Sequence, residues 1–274
     1  LRQIVHRLAW VVQNAPNVLR GYNIYVNGDK LRLVDRAFSA LNPTARSFAD
    51  LGGVWKVNAA YTRYTLRSFN IDRGVIVDTD YPRTVQRRLS RFPQLSVLRG
   101  DFASQKLIEQ VKSVDLVYFF DVLLHQANPN WDQVLTAYAG VAKCFVIFNQ
   151  QYIKSKGSIR LTDLPLEQYM QLAPAGRETI YRYVYAHKRE IHPTYGKPWG
   201  DIHNIFQWGI TDEDLRSLMK RLGFTEGYFC NHGGFSNLPA FENHAFIFTR
   251  DSAGPTRRPP QTPRGVDSRG EQHR

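Results

Sequence analysis

The sequence predicts a doubly wound α/β fold built on a seven-stranded, mostly parallel sheet, and three observations predict it. Short apolar runs recur between Ser47 and Phe148, each followed by a stretch of about ten residues with helical spacing of its apolar positions. The first four runs end in Gly or Asp, the residue types that close a strand and open a loop. The chain has 274 residues, of which 43% are hydrophobic, enough to bury one sizeable core.

Taken in order, residues 1–44 read as an N-terminal extension. Leu1 to Arg20 suggests a helical leader. Tyr22 to Val34 suggests a β-hairpin turning at Asn27-Gly28-Asp29, a tripeptide that tolerates positive φ. A short helix is expected over Leu33–Leu41, ended by Pro43. Residues 45–250 form the main domain. Its first strand ends at Asp50-Leu51-Gly52-Gly53, and a helix covers much of Val57–Phe69. Gly74–Val77 is the second strand and Thr84–Phe92 its helix. Leu95–Leu98 is the third, followed by a helix over Ser104–Val111. Leu116–Phe120 is the fourth, followed by a helix over Trp131–Val141, and Lys143–Phe148 is the fifth. Strands alternating with helices require right-handed crossovers and a sheet covered on both faces. Residues 150–209, rich in Tyr, Pro and His, break this rhythm and read as an inserted lid. Thr211–Leu222 is a helix with Thr211 as N-cap and Gly223 as its stop. Phe224–Cys230 and His244–Thr249 are two final strands separated by a Gly/Asn/Pro loop. Residues 251–274, rich in Pro, Arg and Gly, read as a disordered tail.

Composition narrows the function classes. No run approaches the ~20 apolar residues of a membrane helix, so no membrane association is expected, and no secretory leader is recognisable. Two cysteines, Cys144 and Cys230, are too few for a disulfide framework and suit a reducing cytoplasm. The formal charge of +12 can attract nucleic acid or an acidic substrate. The charges are dispersed, however, with clusters only at Arg83–Arg91 and around His187–Arg189.

The strand ends carry the chemistry. Gly52 and Gly53 let the backbone approach a ligand where a strand hands over to a helix. Asp78, with Asp80 as second choice, ends the second strand, where a carboxylate can accept from two ribose hydroxyls; either acid can equally cap the helix near Pro82. Gly100-Asp101-Phe102 follows the third strand. Asp101 can accept from an exocyclic amine and Phe102 can cover a ring, or the segment is an ordinary turn. Asp121-Val122-Leu123-Leu124-His125 follows the fourth strand. Val54, Trp55 and Lys56 fill the stretch that a dinucleotide's pyrophosphate needs left to glycine.

With these segments in hand, the chain resembles the class I S-adenosylmethionine-dependent methyltransferases. The resemblance covers about Ala45 to Arg250, in outline only after Asn149. It implies a Rossmann-like methyltransferase fold with an antiparallel last strand over His244–Thr249, and S-adenosyl-L-methionine as cofactor. It places that cofactor on Asp50, Gly52, Gly53, Asp78, Asp101, Asp121 and Val122, beside the ring-covering role already read for Phe102. The glycine-poor stretch after Gly53 departs from the family pattern.

Methyl transfer to a hydroxyl profits from a base. His125 is the first candidate, against a purely structural role beneath the cofactor. Asp201 and His203 form a second cluster in which the carboxylate would orient the imidazole. Asn149, Gln150 and Tyr152 follow the fifth strand and are expected at the same rim, facing a polar acceptor. Trp208 belongs to an aromatic set, with Tyr152, Tyr181, Tyr195 and Phe206, that either walls the pocket or forms the lid's own core. No compact ligand motif calls for a metal. The expected activity is O-methylation of a small polar metabolite, sugar or natural product. RNA methylation is the alternative, disfavoured by the lack of a base-pocket motif or an RNA-binding domain. A non-catalytic cofactor-binding partner comes last. A homodimer is compatible with the composition.

Overall fold

The computed structural model describes residues 26–250; the expected leader, the first residues of the hairpin and the expected tail lie outside them. Among the described residues, nine strands and eight α-helices follow in order: α1 (Gly28–Arg36), β1 (Ser47–Leu51), α2 (Ala60–Ser68), β2 (Arg73–Asp78), α3 (Arg83–Leu89), β3 (Leu95–Arg99), α4 (Gln105–Val111), β4 (Val114–Phe120), α5 (Trp131–Ala139), β5 (Ala142–Tyr152), β6 (Ile159–Arg160), α6 (Leu166–Leu172), α7 (Glu178–Ala186), β7 (Trp208–Gly209), α8 (Asp212–Arg221), β8 (Phe224–Phe235) and β9 (Leu238–Arg250).

Seven strands form one sheet in the order β3-β2-β1-β4-β5-β9-β8. The β1–β2, β1–β4, β2–β3 and β4–β5 pairs are parallel; β9 runs antiparallel to both β5 and β8. The order reverses between β1 and β4, so the crevice beyond their carboxyl ends is the place where this topology opens a ligand site. Alternate residues of the central strands enter two cores. Ala49, Leu51, Val117 and Phe119 face one layer with α4 and α5. Phe48, Leu116, Tyr118 and Phe120 face the other with α1 and α2. The lid is continuous with the first core through Tyr169, Tyr181 and Phe206, so most of the aromatic set packs as core and does not wall the cavity.

Two sequence expectations change. Asn27-Gly28-Asp29 does not turn a hairpin: Asn27 caps α1, its Oδ1 accepting from the Lys30 N–H at 2.9 Å. The same side chain serves either purpose, and the apolar period over Leu33, Val34 and Ala37 decides for a helix. The last two strands are not parted by a long loop either. They are one hairpin of 12 and 13 residues with register shifts near Asn231–Phe235. Their length draws β5 out to Tyr152. Among the described residues, no helix is long and apolar enough to cross a membrane.

Candidate functional site

A cavity of about 410 Å³ opens at the carboxyl ends of β1, β2, β3 and β4, roofed by lid residues Arg177, Thr194, Tyr195, Lys197, His203 and Asn204. The volume falls in the range of small-molecule and cofactor sites, about 300–1,000 Å³. Asp50, Asp78, Asp101 and Asp121 all line it, as do Gly52, Gly53, Phe102, Val122 and His125.

Each floor residue is fixed by its element. Gly52 sits at φ +71°, where a side chain is strained, and a Cβ there would lie 2.7 Å from Val122 Cγ1. A Cβ on Gly53 would lie 2.4 Å from an Asp50 carboxylate oxygen. Asp50 is buried and accepts from Thr62 Oγ1 at 2.5 Å. Burial pushes its carboxyl up to about 6 against that hydrogen bond, and the neighbouring Asp78 adds to the rise. The chain then turns through Lys56, Asn58 and Ala59, all at positive φ although none is glycine. Such a conformation costs on the order of 1–2 kcal/mol per residue. The Asp78 carboxylate organises this turn, one oxygen accepting from the Val54 N–H at 2.8 Å and the Trp55 N–H at 3.3 Å, the other from the Thr79 N–H at 2.7 Å. The departure from a glycine-rich pattern is therefore met by left-handed backbone in ordinary residues.

Asp121, at φ +56°, directly follows β4. It forms a buried ion pair with Lys30 of α1 and accepts from Gln150 Nε2 at 2.7 Å. The Lys30 ammonium also lies 5.0 Å from the Phe148 ring centroid. Asp101 faces the lid, with Lys197 Nζ at 3.1 Å and His203 Nε2 at 3.7 Å. Burial alone would raise the Asp101 carboxyl; His203, the Ala103 N–H and Lys197 outweigh it and hold it below the usual carboxylate range.

His125 lies beyond β4. Its Nδ1 sits 2.7 Å from the Ile205 carbonyl oxygen, which can only accept, so Nδ1 carries the proton and Nε2 keeps the lone pair. Burial pushes the imidazole down to about 4, partly countered by the Ile205 bond and the Asp121 charge. The lid is tied to the same segment by Gln207. Its N–H donates to the Leu124 carbonyl at 2.9 Å, and its amide donates to the Gly200 and Ile202 carbonyls, each at 2.9 Å.

Other residues expected at the site lie elsewhere. Asp80 is exposed and faces Arg99 at 3.6 Å, outside the cavity lining. Asp201 accepts from Arg160 Nη2 at 2.5 Å, so it does not orient His203, whose acid neighbour is Asp101. Asn149, Gln150 and Tyr152 are not at the rim. β5 carries them into pairing with β9, and all three are buried. Only Gln150 reaches the site indirectly, through Asp121. Trp208 lies in the two-stranded β6–β7 pair, outside the lining. Among the described residues, no group of three or more His, Cys, Asp or Glu side chains is placed to hold a metal ion.

Sequence reasoning missed Lys30, Gln126, Arg177, Lys197 and Asn204, all in the lining. For Lys30 a signal existed: it shares the helical stripe of Leu33, Val34 and Ala37, which puts a lysine on a buried face. The lid residues carried no comparable pattern.

No family model matches the sequence, and no curated protein matches it. Solved structures do resemble the fold. The N-terminal domain of EvdMO1 with SAH bound is 16% identical with a TM-score of 0.52, over 91% of this chain and 97% of that one. A 1,6-didemethyltoxoflavin-N1-methyltransferase from Burkholderia thailandensis, with bound 1,6-didemethyltoxoflavin and S-adenosylhomocysteine, is 11% identical at TM-score 0.50, over 81% and 79%. An O-methyltransferase family protein from Burkholderia thailandensis is 14% identical at TM-score 0.50; the match covers 82% of this chain and spans only 57% of that protein's length. At these identities the likeness speaks to architecture, and on it the chain has a Rossmann-like methyltransferase fold.

Proposed function

We propose that the protein is an S-adenosylmethionine-dependent methyltransferase acting on a hydroxyl of a small polar molecule. One observation carries the reading: the acids ending or following four successive strands, Asp50, Asp78, Asp101 and Asp121, line a single cavity beside the Gly52-Gly53 turn. The residues present fit an adenosyl group with an amino-acid tail. Gln126 Oε1 and His203 Nδ1 are buried, line the cavity walls and have no partner among the described residues, so they call for polar atoms from a ligand. When bound, S-adenosylmethionine supplies an electrophilic methyl group on a good sulfonium leaving group.

The protein's share is positioning and proton transfer. Asp78, held by the Val54, Trp55 and Thr79 N–H groups and more loosely by that of Asp80 at 3.5 Å, keeps acceptor capacity for a ribose hydroxyl. Phe102 and Val122 narrow the cavity and help exclude water. His125, neutral at pH 7 with its lone pair on Nε2, accepts the proton of the acceptor hydroxyl. A base this weak suits an acidic hydroxyl, such as a phenol or enol, better than an alkyl alcohol. Arg87, Arg88 and Arg91 are exposed and absent from the cavity lining, which favours a small acceptor over RNA. Neither Cys144 nor Cys230 is in a disulfide, which suits the cytoplasm.

The test is calorimetry with S-adenosylhomocysteine. The parent chain should bind it, and Asp78→Ala should weaken binding at least about tenfold, the loss of a charge-assisted hydrogen bond. No binding by the parent chain, or an unchanged dissociation constant in the variant, would refute the assignment.

A further inference from the structure

The cavity has a charge asymmetry between its floor and its lid. All four lining carboxylates belong to the floor, and the lid residues that line it include no acid. The lid instead presents Arg177 and Lys197, with His203 between the floor and the roof. Two of the lining cations are already matched: Lys30 pairs with Asp121 and Lys197 with Asp101. Arg177 is not. Its Nη1 donates to the Asn204 carbonyl oxygen at 2.7 Å, the guanidinium also donates to the Tyr181 hydroxyl, and among the described residues it forms no ion pair. Those two bonds anchor the planar fork and leave its other N–H donors for a ligand.

We infer that the methyl acceptor is an anion, a small hydroxylated carboxylic acid whose carboxylate docks on Arg177 of the lid. This rests on the methyltransferase reading for the word acceptor, but not for the binding site itself. A guanidinium fork pairs with a planar carboxylate through two parallel hydrogen bonds, a geometry a lone ammonium cannot reproduce. A phosphate monoester is the other candidate anion. Its greater charge would call for more than one unmatched cation, and the remaining lysines of the lining are committed to Asp101 and Asp121. Thr194 and Asn204, also in the lining, add neutral polar groups on the same side, suited to the rim of a carboxylate or a neighbouring hydroxyl.

The test uses the full chain saturated with S-adenosylhomocysteine and titrated calorimetrically with three probes: 4-hydroxybenzoate, its neutral amide 4-hydroxybenzamide, and phenyl phosphate. The carboxylate should bind at least about tenfold more tightly than the amide. Arg177→Gln, kept saturated with S-adenosylhomocysteine at a concentration set from the variant's own titration, should bring that ratio close to one, and Arg177→Lys should restore only part of it; a loss of S-adenosylhomocysteine affinity in Arg177→Gln would assign the arginine to the cofactor's own carboxylate and overturn the inference. Equal binding of acid and amide, failure of the acid to bind at about 10 mM, or a preference that survives Arg177→Gln overturns the inference. Tighter binding of phenyl phosphate than of the carboxylate overturns it in favour of a phosphorylated acceptor. If S-adenosylhomocysteine itself gives no binding, the methyltransferase reading fails. The acid–amide comparison, repeated without it, still decides whether Arg177 holds a carboxylate.

Discussion

The floor of the cavity and its lid are held by different means. The floor is produced by topology: parallel strands β1, β2 and β4 bring their carboxyl ends together, and each acid there has at least one partner on its own loop, on the helix that follows it or on an adjacent strand. The lid packs into the first core through Tyr169, Tyr181 and Phe206, and its edge over the cavity is tied down by individual polar bonds, Gln207 to Leu124, Gly200 and Ile202, His125 to Ile205, and Lys197 to Asp101. Rigid sheet geometry sets where a ligand can lie. Apolar packing and a handful of polar side chains together decide how firmly the roof sits above it.

The contrast can be broken most forcefully at Lys30. Lys30→Met leaves the Asp121 carboxylate buried and uncompensated, and stability to urea should drop by about 3–5 kcal/mol. Adding Asp121→Asn should restore much of the loss, because both charges are then gone. If the single variant unfolds at the same urea concentration as the parent chain, the floor does not depend on this pair.

A somewhat smaller effect is expected at Asp50, and it depends on pH. The folded carboxyl keeps its proton up to about 6, whereas the unfolded one releases it near 3.8. The stabilisation from that raised pKa is thus complete below pH 3.8 and lost as pH rises through 6. Asp50→Asn removes this slope. The parent's stability minus the variant's should fall by about 3 kcal/mol across that window, read from unfolding curves at several pH values. His125 slopes the opposite way between about 4 and 6.5, since its folded pKa is depressed, but it is common to both proteins and cancels in the difference. A flat difference would mean that Asp50 is ionised in the folded chain.

The smallest effect sharpens the comparison from the other side. Gln207→Ala removes two donated bonds from lid carbonyls and should loosen the lid by about 2 kcal/mol. Hydrogen exchange of lid amides should speed up roughly 30-fold while β1 and β4 amides are unaffected. Equal acceleration of both would show that floor and lid open as one unit.

The same division explains what could be read from the sequence. Asp50, Asp78, Asp101 and Asp121 were legible because strand–helix alternation alone places those loops at one end of the sheet. Asn149, Gln150 and Tyr152 were misplaced because the extension of β5 depends on the length of β9, about 90 residues away in the chain. Asp201 was paired with His203 on proximity in sequence, while the imidazole faces Asp101 across the cavity. Asn27 was read as a turn residue because hairpins and helix starts use the same side chain. Lys30, Arg177 and Gln207 act through partners or a cavity that only tertiary structure brings to them.

The pair between Lys30 and Asp121 joins residues 91 positions apart. On a ribosome the lysine therefore emerges long before its counterion, and α1 must wait with an unneutralised ammonium until β4 has been made. Completion of the cavity is thereby linked to the arrival of the central strand, so an interrupted chain that stops short of Asp121 cannot seal α1 over the space where a ligand belongs.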